Sequence, residues 1–228
     1  MTGLVDAHER SGFWTLTTTF VLLLFYLQVV RLIAAWALQA FFNPGEIAVG
    51  SFILSAAAFL IAGIPAWLVL SPGAVELALD WTGTTQGERL VYIGGGIFLL
   101  GLIVSALLFD ADAFAANIYS ALFIPAFEEI LFRGFGWSHI RGGLSGKSAG
   151  WVTWVCITLL FGFWHLGYID SILRAVGSHS NLPFLSVVLF FKVLVGIAVG
   201  TITGLARLRT GRVFAPFLLH ALWNFMAR

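Results

Sequence analysis

Hydrophobic residues fill long stretches of this chain, and short polar segments separate them. Crossing about 30 Å of hydrocarbon takes about 20 helical residues, and most of the stretches reach that length. The pattern therefore predicts an all-α, polytopic transmembrane bundle of about seven helices. The predicted helices are Phe13 to Phe42, Ile47 to Leu70, Leu90 to Phe109, Ala113 to Trp137, Ala149 to Ile169, Leu182 to Leu205 and Val213 to Met226.

Turn signals separate the first helices without marking a second domain. Asn43-Pro44-Gly45 predicts a tight turn, and Ser71-Pro72-Gly73 opens the longest polar connection, which runs to Arg89. We therefore treat residues 1–228 as a single integral membrane domain.

Composition agrees with this prediction. The chain is 60% hydrophobic and only 10% charged, and its mean hydropathy of +0.97 lies outside the range of soluble domains. The single cysteine, Cys156, cannot form an internal disulfide, and no Cys/His cluster indicates structural zinc. The net charge is +1 and the basic residues lie at helix ends, so we expect the lipid bilayer as a partner and no nucleic acid.

Basic residues predict the orientation of the bundle. Alternate connections carry most of them, and the positive-inside rule then places the amino terminus in the cytoplasm. We also expect the functional site to open toward the cytoplasm. The residues grouped on the amino-terminal side are Arg10, Arg89, Arg141, Lys147, Arg207, Arg209 and Arg212, against Arg174, Lys192 and Arg228 on the other side.

Glycines in the sixth predicted helix recur at every fourth position. Gly196, Gly200 and Gly204 therefore line one face of that helix. Small residues with this spacing allow the backbone of a neighbouring helix to approach closely. The pattern predicts tight helix packing at this face.

Three charged residues fall within six positions of the fourth predicted helix, in Phe127-Glu128-Glu129-Ile130-Leu131-Phe132-Arg133. An ionisable side chain at membrane depth costs at least about 2.5 kcal/mol, so these residues need partners, a task, or both. Residues four apart share a helix face, whereas adjacent residues point about 100° apart. The spacing predicts a Glu129–Arg133 ion pair and leaves Glu128 to face a cavity as a general base or acid. The alternative is a static ion-pair cluster that holds helices together.

Two further polar positions lie on later helices. Phe161 and His165 share one face of the fifth helix, and His220 and Asn224 share one face of the last helix. A lone histidine is more often structural than catalytic. However, buried polar groups must find one another or water, so we expect Glu128 and these side chains to converge on one cavity.

Three motifs in order, EExxxR, FxxxH and HxxxN, resemble those of the CPBP family, the CAAX proteases and bacteriocin-processing enzymes also called the Abi family. The resemblance covers roughly Ala113 to Asn224, so residues 113–226 are the expected catalytic core and residues 1–110 the family-variable amino-terminal helices. It implies an intramembrane endopeptidase that acts on a membrane-bound peptide or protein, here in a bacterial cytoplasmic membrane. Eukaryotic members cleave a prenylated CAAX protein after the modified cysteine. The sequence leaves the oligomeric state open.

The resemblance also implies roles for individual residues. Two histidines and a carboxylate could bind zinc, but HExxH is missing and the candidates lie on three helices. A mechanism without a metal or other cofactor is therefore predicted, with zinc as the alternative. The implied roles are water activation for Glu128 and His165, oxyanion binding for His220 and Asn224, and support for Glu129, Arg133 and Phe161.

Two other functions remain as alternatives. Residues Gly143 to Gly150 match the GxSGxxxG signature of rhomboid serine proteases, which would make Ser145 the nucleophile. In rhomboids, however, HxxxN precedes the serine, whereas here it comes last and Ser145 lies between Arg141 and Lys147. The second alternative is a non-catalytic membrane scaffold or bacteriocin-immunity protein.

Overall fold

Helices make up every regular element in the part of the chain that the structure, a computed structural model, describes: residues 7–42, 48–108, 110–176 and 182–227. Six helical spans are long and apolar enough to cross a membrane. With the shorter terminal helix Phe214–Met226, they confirm the all-α polytopic bundle of about seven helices. The spans, numbered one to six, are Ser11–Phe42, Val49–Leu70, Gln86–Leu107, Asp112–Gly142, Ala149–Leu173 and Pro183–Thr210.

The first three spans are single α-helices. Their bounds are Ala7–Phe42, Ala48–Leu70 and Gln86–Leu107. A capping box begins the third helix: the Thr85 hydroxyl accepts from the backbone N–H of Glu88, whose carboxylate accepts from the backbone N–H of Thr85. The predicted turn Asn43-Pro44-Gly45 lies outside the described residues.

The fourth span is helical over 111–142, five residues beyond the predicted end at Trp137. Pro125 has no N–H to donate, and a π-helical segment immediately precedes the α-helical turn that contains it. π-Helical turns inside α-helices occur often at functional sites. The successive segments are α-helix Ala111–Asn117, π-helix Ile118–Phe123, α-helix Ile124–Glu129, π-helix Ile130–Gly136 and α-helix Trp137–Gly142.

A short 3₁₀ turn interrupts the fifth span. The α-helix Ala149–Trp164 leads into the 3₁₀ turn His165–Tyr168, and the α-helix Ile169–Val176 follows. The sixth span is the single α-helix Leu182–Thr210. The fifth and sixth spans lie side by side along most of their length.

The predicted glycine face of the sixth span packs against the fifth. A Cβ atom added to Gly196 would lie 2.7 Å from Nδ1 of His165, and one added to Gly204 would lie 2.6 Å from the ring of Trp154. A Cβ on Gly200 would lie 3.1 Å from the ring of Phe161. These distances confirm the close approach that the spacing predicted.

We expect Gly196→Ala to lower by about 100-fold the rate constant kcat of the endopeptidase reaction that the sequence resemblance implies, because displacing a reacting group by about 1 Å can have that effect. The added methyl group must push the His165 imidazole aside. Gly94→Ala is the matched control, since a Cβ there meets nothing within 4 Å. Turnover of both purified variants checks this prediction, and equal turnover would contradict it.

Basic connections gather at one end of the bundle, together with the start of the first span. A Cβ on Gly143 would lie 2.9 Å from the backbone of Phe13, and the Arg212 guanidinium pairs with the Asp80 carboxylate at 2.6 Å. We call this the basic end. The grouping of the basic connections agrees with the predicted topology, although Arg228 lies outside the described residues.

Candidate functional site

A cavity of about 800 Å³ reaches into the bundle between the fourth, fifth and sixth spans and the terminal helix. Four of the predicted site residues line it, and they come from three separate helical segments. The four are Glu128, His165, His220 and Asn224. The structure thus brings together the side chains that the sequence predicted to converge.

The mouth of the cavity lies away from the basic end. Ser171, Phe191 and Ala227 line the cavity and are exposed. They lie near the end of the fifth span, near the start of the sixth and just after the terminal helix, so all three are at the opposite end of the bundle. The cavity lining therefore extends to the end of the bundle opposite the amino-terminal side.

Glu129 and Arg133 form the predicted ion pair. Nη1 of Arg133 lies 3.2 Å from Oε1 of Glu129, and both side chains are fully buried. Nη2 of Arg133 donates to the carbonyl oxygen of Gly200 at 3.2 Å, and its guanidinium carbon lies 4.2 Å from the centroid of the Phe161 ring. Glu129 also lies 2.8 Å from Nδ1 of His220. Glu129 therefore anchors two neighbours.

Glu128 has a different environment at each carboxylate oxygen. Oε1 accepts hydrogen bonds from the indole N–H of Trp164 at 2.7 Å and from the hydroxyl of Tyr168 at 2.5 Å. Oε2 has no hydrogen-bond partner among the described residues and lies 3.7 Å from Nε2 of His220. The side chain is only 1% exposed and the residue lines the cavity, so the His220 imidazole is the polar group beside this buried oxygen.

The hydrogen bond of His165 fixes its tautomer. Nδ1 lies 2.8 Å from the carbonyl oxygen of Phe161. A carbonyl oxygen only accepts, so Nδ1 carries the proton and the neutral ring keeps its lone pair on Nε2. The fully buried Phe161 ring meets His165 edge to face at 4.8 Å and His220 at 5.6 Å between ring centroids. Phe161 thus packs against both imidazoles, as a supporting residue would.

Asn224 lies one turn after His220 and lines the same cavity. Its amide nitrogen donates to the carbonyl oxygen of Ser120 at 2.9 Å, which holds the side chain against the fourth span. A carboxamide nitrogen has two hydrogens, so one remains for a ligand.

Sequence reasoning missed the two donors to Glu128. Trp164 and Tyr168 flank His165 within the same apolar span. A buried indole N–H or phenol hydroxyl normally has a hydrogen-bond partner, and this rule was the available signal. The site therefore extends to Trp164 and Tyr168, which lie one residue before and three residues after the predicted histidine.

The alternative nucleophile lies elsewhere. Ser145 is exposed in the connection between the fourth and fifth spans, at the basic end, and it does not line the cavity. This position does not favour a role in the same site as His165 or His220.

Metal ligands are not grouped in the described part of the chain. No three or more His, Cys, Asp or Glu side chains there are placed to hold an ion. The predicted mechanism without a metal remains a prediction.

The chain matches the model of a known protein family. The model of a family described as type II CAAX prenyl endopeptidase Rce1-like matches residues 110–226, just over half of the chain. All the predicted site residues lie within this region. No curated protein and no solved structure matches the chain.

Proposed function

Because the chain belongs to the type II CAAX prenyl endopeptidase Rce1-like family, we propose that it is an intramembrane endopeptidase that cleaves a membrane-associated protein or peptide. The environment of Glu128 carries this proposal. Two donors hold one oxygen of this buried carboxylate, while the other has no hydrogen-bond partner among the described residues and lies 3.7 Å from Nε2 of His220; Glu128 itself lines the cavity. A general base needs an oriented acceptor that still has a free lone pair.

Attack by water is the first step. Oε2 of Glu128 takes a proton from a water molecule as its oxygen adds to the carbonyl carbon of the scissile peptide bond. The lone pair on Nε2 of His165 accepts a hydrogen bond from the same water and orients it. The C=O π electrons move onto the oxygen, which becomes an oxyanion.

The oxyanion needs hydrogen-bond donors. Glu129 accepts from Nδ1 of His220, and as an imidazolium this ring also donates from Nε2. The second amide hydrogen of Asn224 is the other donor. Donors fixed in place before the charge develops stabilise the transition state most effectively.

Departure of the amine completes the reaction. Glu128 returns its proton to the peptide nitrogen as the C–N bond breaks, and the C=O bond re-forms. The products are a carboxylic acid and an amine, which exchange a proton to become a carboxylate and an ammonium. Glu128 is then a carboxylate again.

The test uses the purified protein in lipid vesicles with a farnesylated peptide that ends in a CAAX sequence. We expect release of the carboxyl-terminal tripeptide, detected by mass spectrometry, and no release by the His165→Ala variant. The unprenylated peptide is the matched substrate control. Comparing the membrane proteomes of cells that carry the wild type or the His165→Ala variant extends the search to other substrates. If neither experiment shows carboxyl termini that depend on the wild type, the protein is better described as a scaffold or immunity protein.

The same assay, repeated in the presence of a metal chelator, tests whether cleavage requires a bound metal ion. We expect unchanged turnover in chelator, because the proposed water activation uses only protein groups. Loss of turnover that zinc restores would overturn this part of the proposal.

The proposal includes the orientation of the bundle in the membrane. The basic residues support a cytoplasmic amino terminus in a bacterial cytoplasmic membrane, and the cavity mouth then faces the outside. Peptide added to intact spheroplasts should be cleaved without lysis. Cleavage only after lysis would reverse the orientation.

A further inference from the structure

A buried arginine of the first span contacts the segment that carries the site. Arg31 is only 2% exposed and lies outside the region that matches the family model. Its guanidinium makes two contacts with the Asp170 carboxylate, at 2.9 and 3.3 Å, and Nη2 also donates to the carbonyl oxygen of Gly167 at 2.5 Å. These contacts join the first span to the fifth.

Gln28 strengthens the same connection. Its carboxamide oxygen accepts from Nε of Arg31 at 3.0 Å, and its nitrogen donates to the carbonyl oxygen of Trp164 at 3.2 Å. A Cβ atom on Gly167 would lie 2.1 to 2.4 Å from the Gln28 amide group. Gly167 therefore leaves the space in which Gln28 and Arg31 reach the turn.

The contacted turn carries three groups of the site. Trp164 and Tyr168 donate to Glu128, and His165 lies between them in sequence. A 3₁₀ turn has poorer hydrogen-bond geometry than an α-helix, so contacts from outside are needed to fix its side chains. The carbonyl groups of Trp164, just before the turn, and of Gly167, within it, both accept from the first span.

We propose that Arg31, with Gln28, is a positioning residue that holds the segment Trp164–Tyr168, the 3₁₀ turn and the residue before it, in the geometry that the reaction requires. Neither side chain lines the cavity, so both act through the turn. This inference rests on the proposed function, because its effect is measured on cleavage. On this inference, the first span supports the site from outside the cavity.

Arg31→Ala is the first test, and Arg212→Ala is its matched control, since it breaks another arginine–aspartate pair at the basic end. We expect Arg31→Ala to lower kcat by about 100-fold with little change in KM, because misplacing the reacting groups by about 1 Å has an effect of this size. The control should keep the turnover of the wild type. The cleaved peptide found for the wild-type protein serves as substrate.

Gly167→Ala is the second test and leaves every charge in place. Its methyl group displaces the Gln28 amide, so kcat should fall while the protein remains folded in a thermal melt. Folded Arg31→Ala or Gly167→Ala protein with the kcat of the wild type would overturn the inference, as would a change in KM alone. If Arg31→Ala does not fold, the kcat of folded Gly167→Ala tests the inference on its own. A wild-type protein that cleaves nothing instead counts against the proposed function.

Discussion

Replacing Glu128 with glutamine is expected to lower kcat by about 10²- to 10⁴-fold, the range associated with loss of a general base. The amide cannot take a proton from water. Its oxygen can still accept from Trp164 and Tyr168, so the site should keep its shape. Turnover of the purified variant, with a thermal melt to verify folding, measures the effect.

Glu76→Gln is the matched control for this variant. Glu76 is exposed and lies in the long polar connection at the basic end, so the same chemical change there should leave turnover unaltered. Wild-type turnover by Glu128→Gln would refute the proposed mechanism. If Ser145→Ala then abolished cleavage, the rhomboid-like alternative would replace it.

Replacing Arg133 with alanine is expected to destabilise the protein by about 3–5 kcal/mol, because it removes one partner of a buried ion pair. Glu129 would keep its charge in a fully buried position, with His220 as its remaining ionisable partner. The guanidinium would also leave the Phe161 ring and the Gly200 carbonyl group. The free energy of unfolding in detergent micelles measures this loss.

Arg209→Ala is the matched control, because it also removes an arginine but leaves the buried ion pair in place. Arg209 is exposed at the basic end of the sixth span, and substitutions at such positions usually change stability by less than about 0.5 kcal/mol. Equal stability of the two variants would show that the buried pair contributes little. Turnover is not the readout here, so this prediction holds whatever the substrate.

Local spacing predicted the charged motif well. Glu129 and Arg133 are four residues apart, so their contact depends on one helical turn and little else. The same geometry separated Glu128 from the pair and directed it to the cavity. The bundle of about seven helices was also predictable, because in lipid the backbone N–H and C=O groups must form hydrogen bonds within the protein, and helices achieve this.

Contacts between distant segments were not predictable by spacing. Glu128 meets Tyr168 across 40 positions, and Arg31 meets Asp170 across 139. Only tertiary packing brings such pairs together. Arg31 was nevertheless recognisable as a charge inside the first apolar stretch. An ionisable side chain at membrane depth needs a partner, so the reasoning used for Glu128 would have predicted a partner for Arg31 as well.

Hydropathy also misjudged where the fourth span ends. The sequence after Trp137 contains Ser138, His139 and Arg141, which ended the apolar run. The helix continues to Gly142, and two of these polar side chains have partners: Ser138 donates to the carbonyl oxygen of Glu76, and Arg141 donates to that of Leu144. Glu128 consequently lies near the middle of the span, and His165 can reach the same level from the fifth span.

The position of the cavity mouth determines when cleavage could happen in the life of a substrate. In the orientation proposed above, a polypeptide reaches Glu128 only after it has been exported from the cell interior. Processing would then follow secretion.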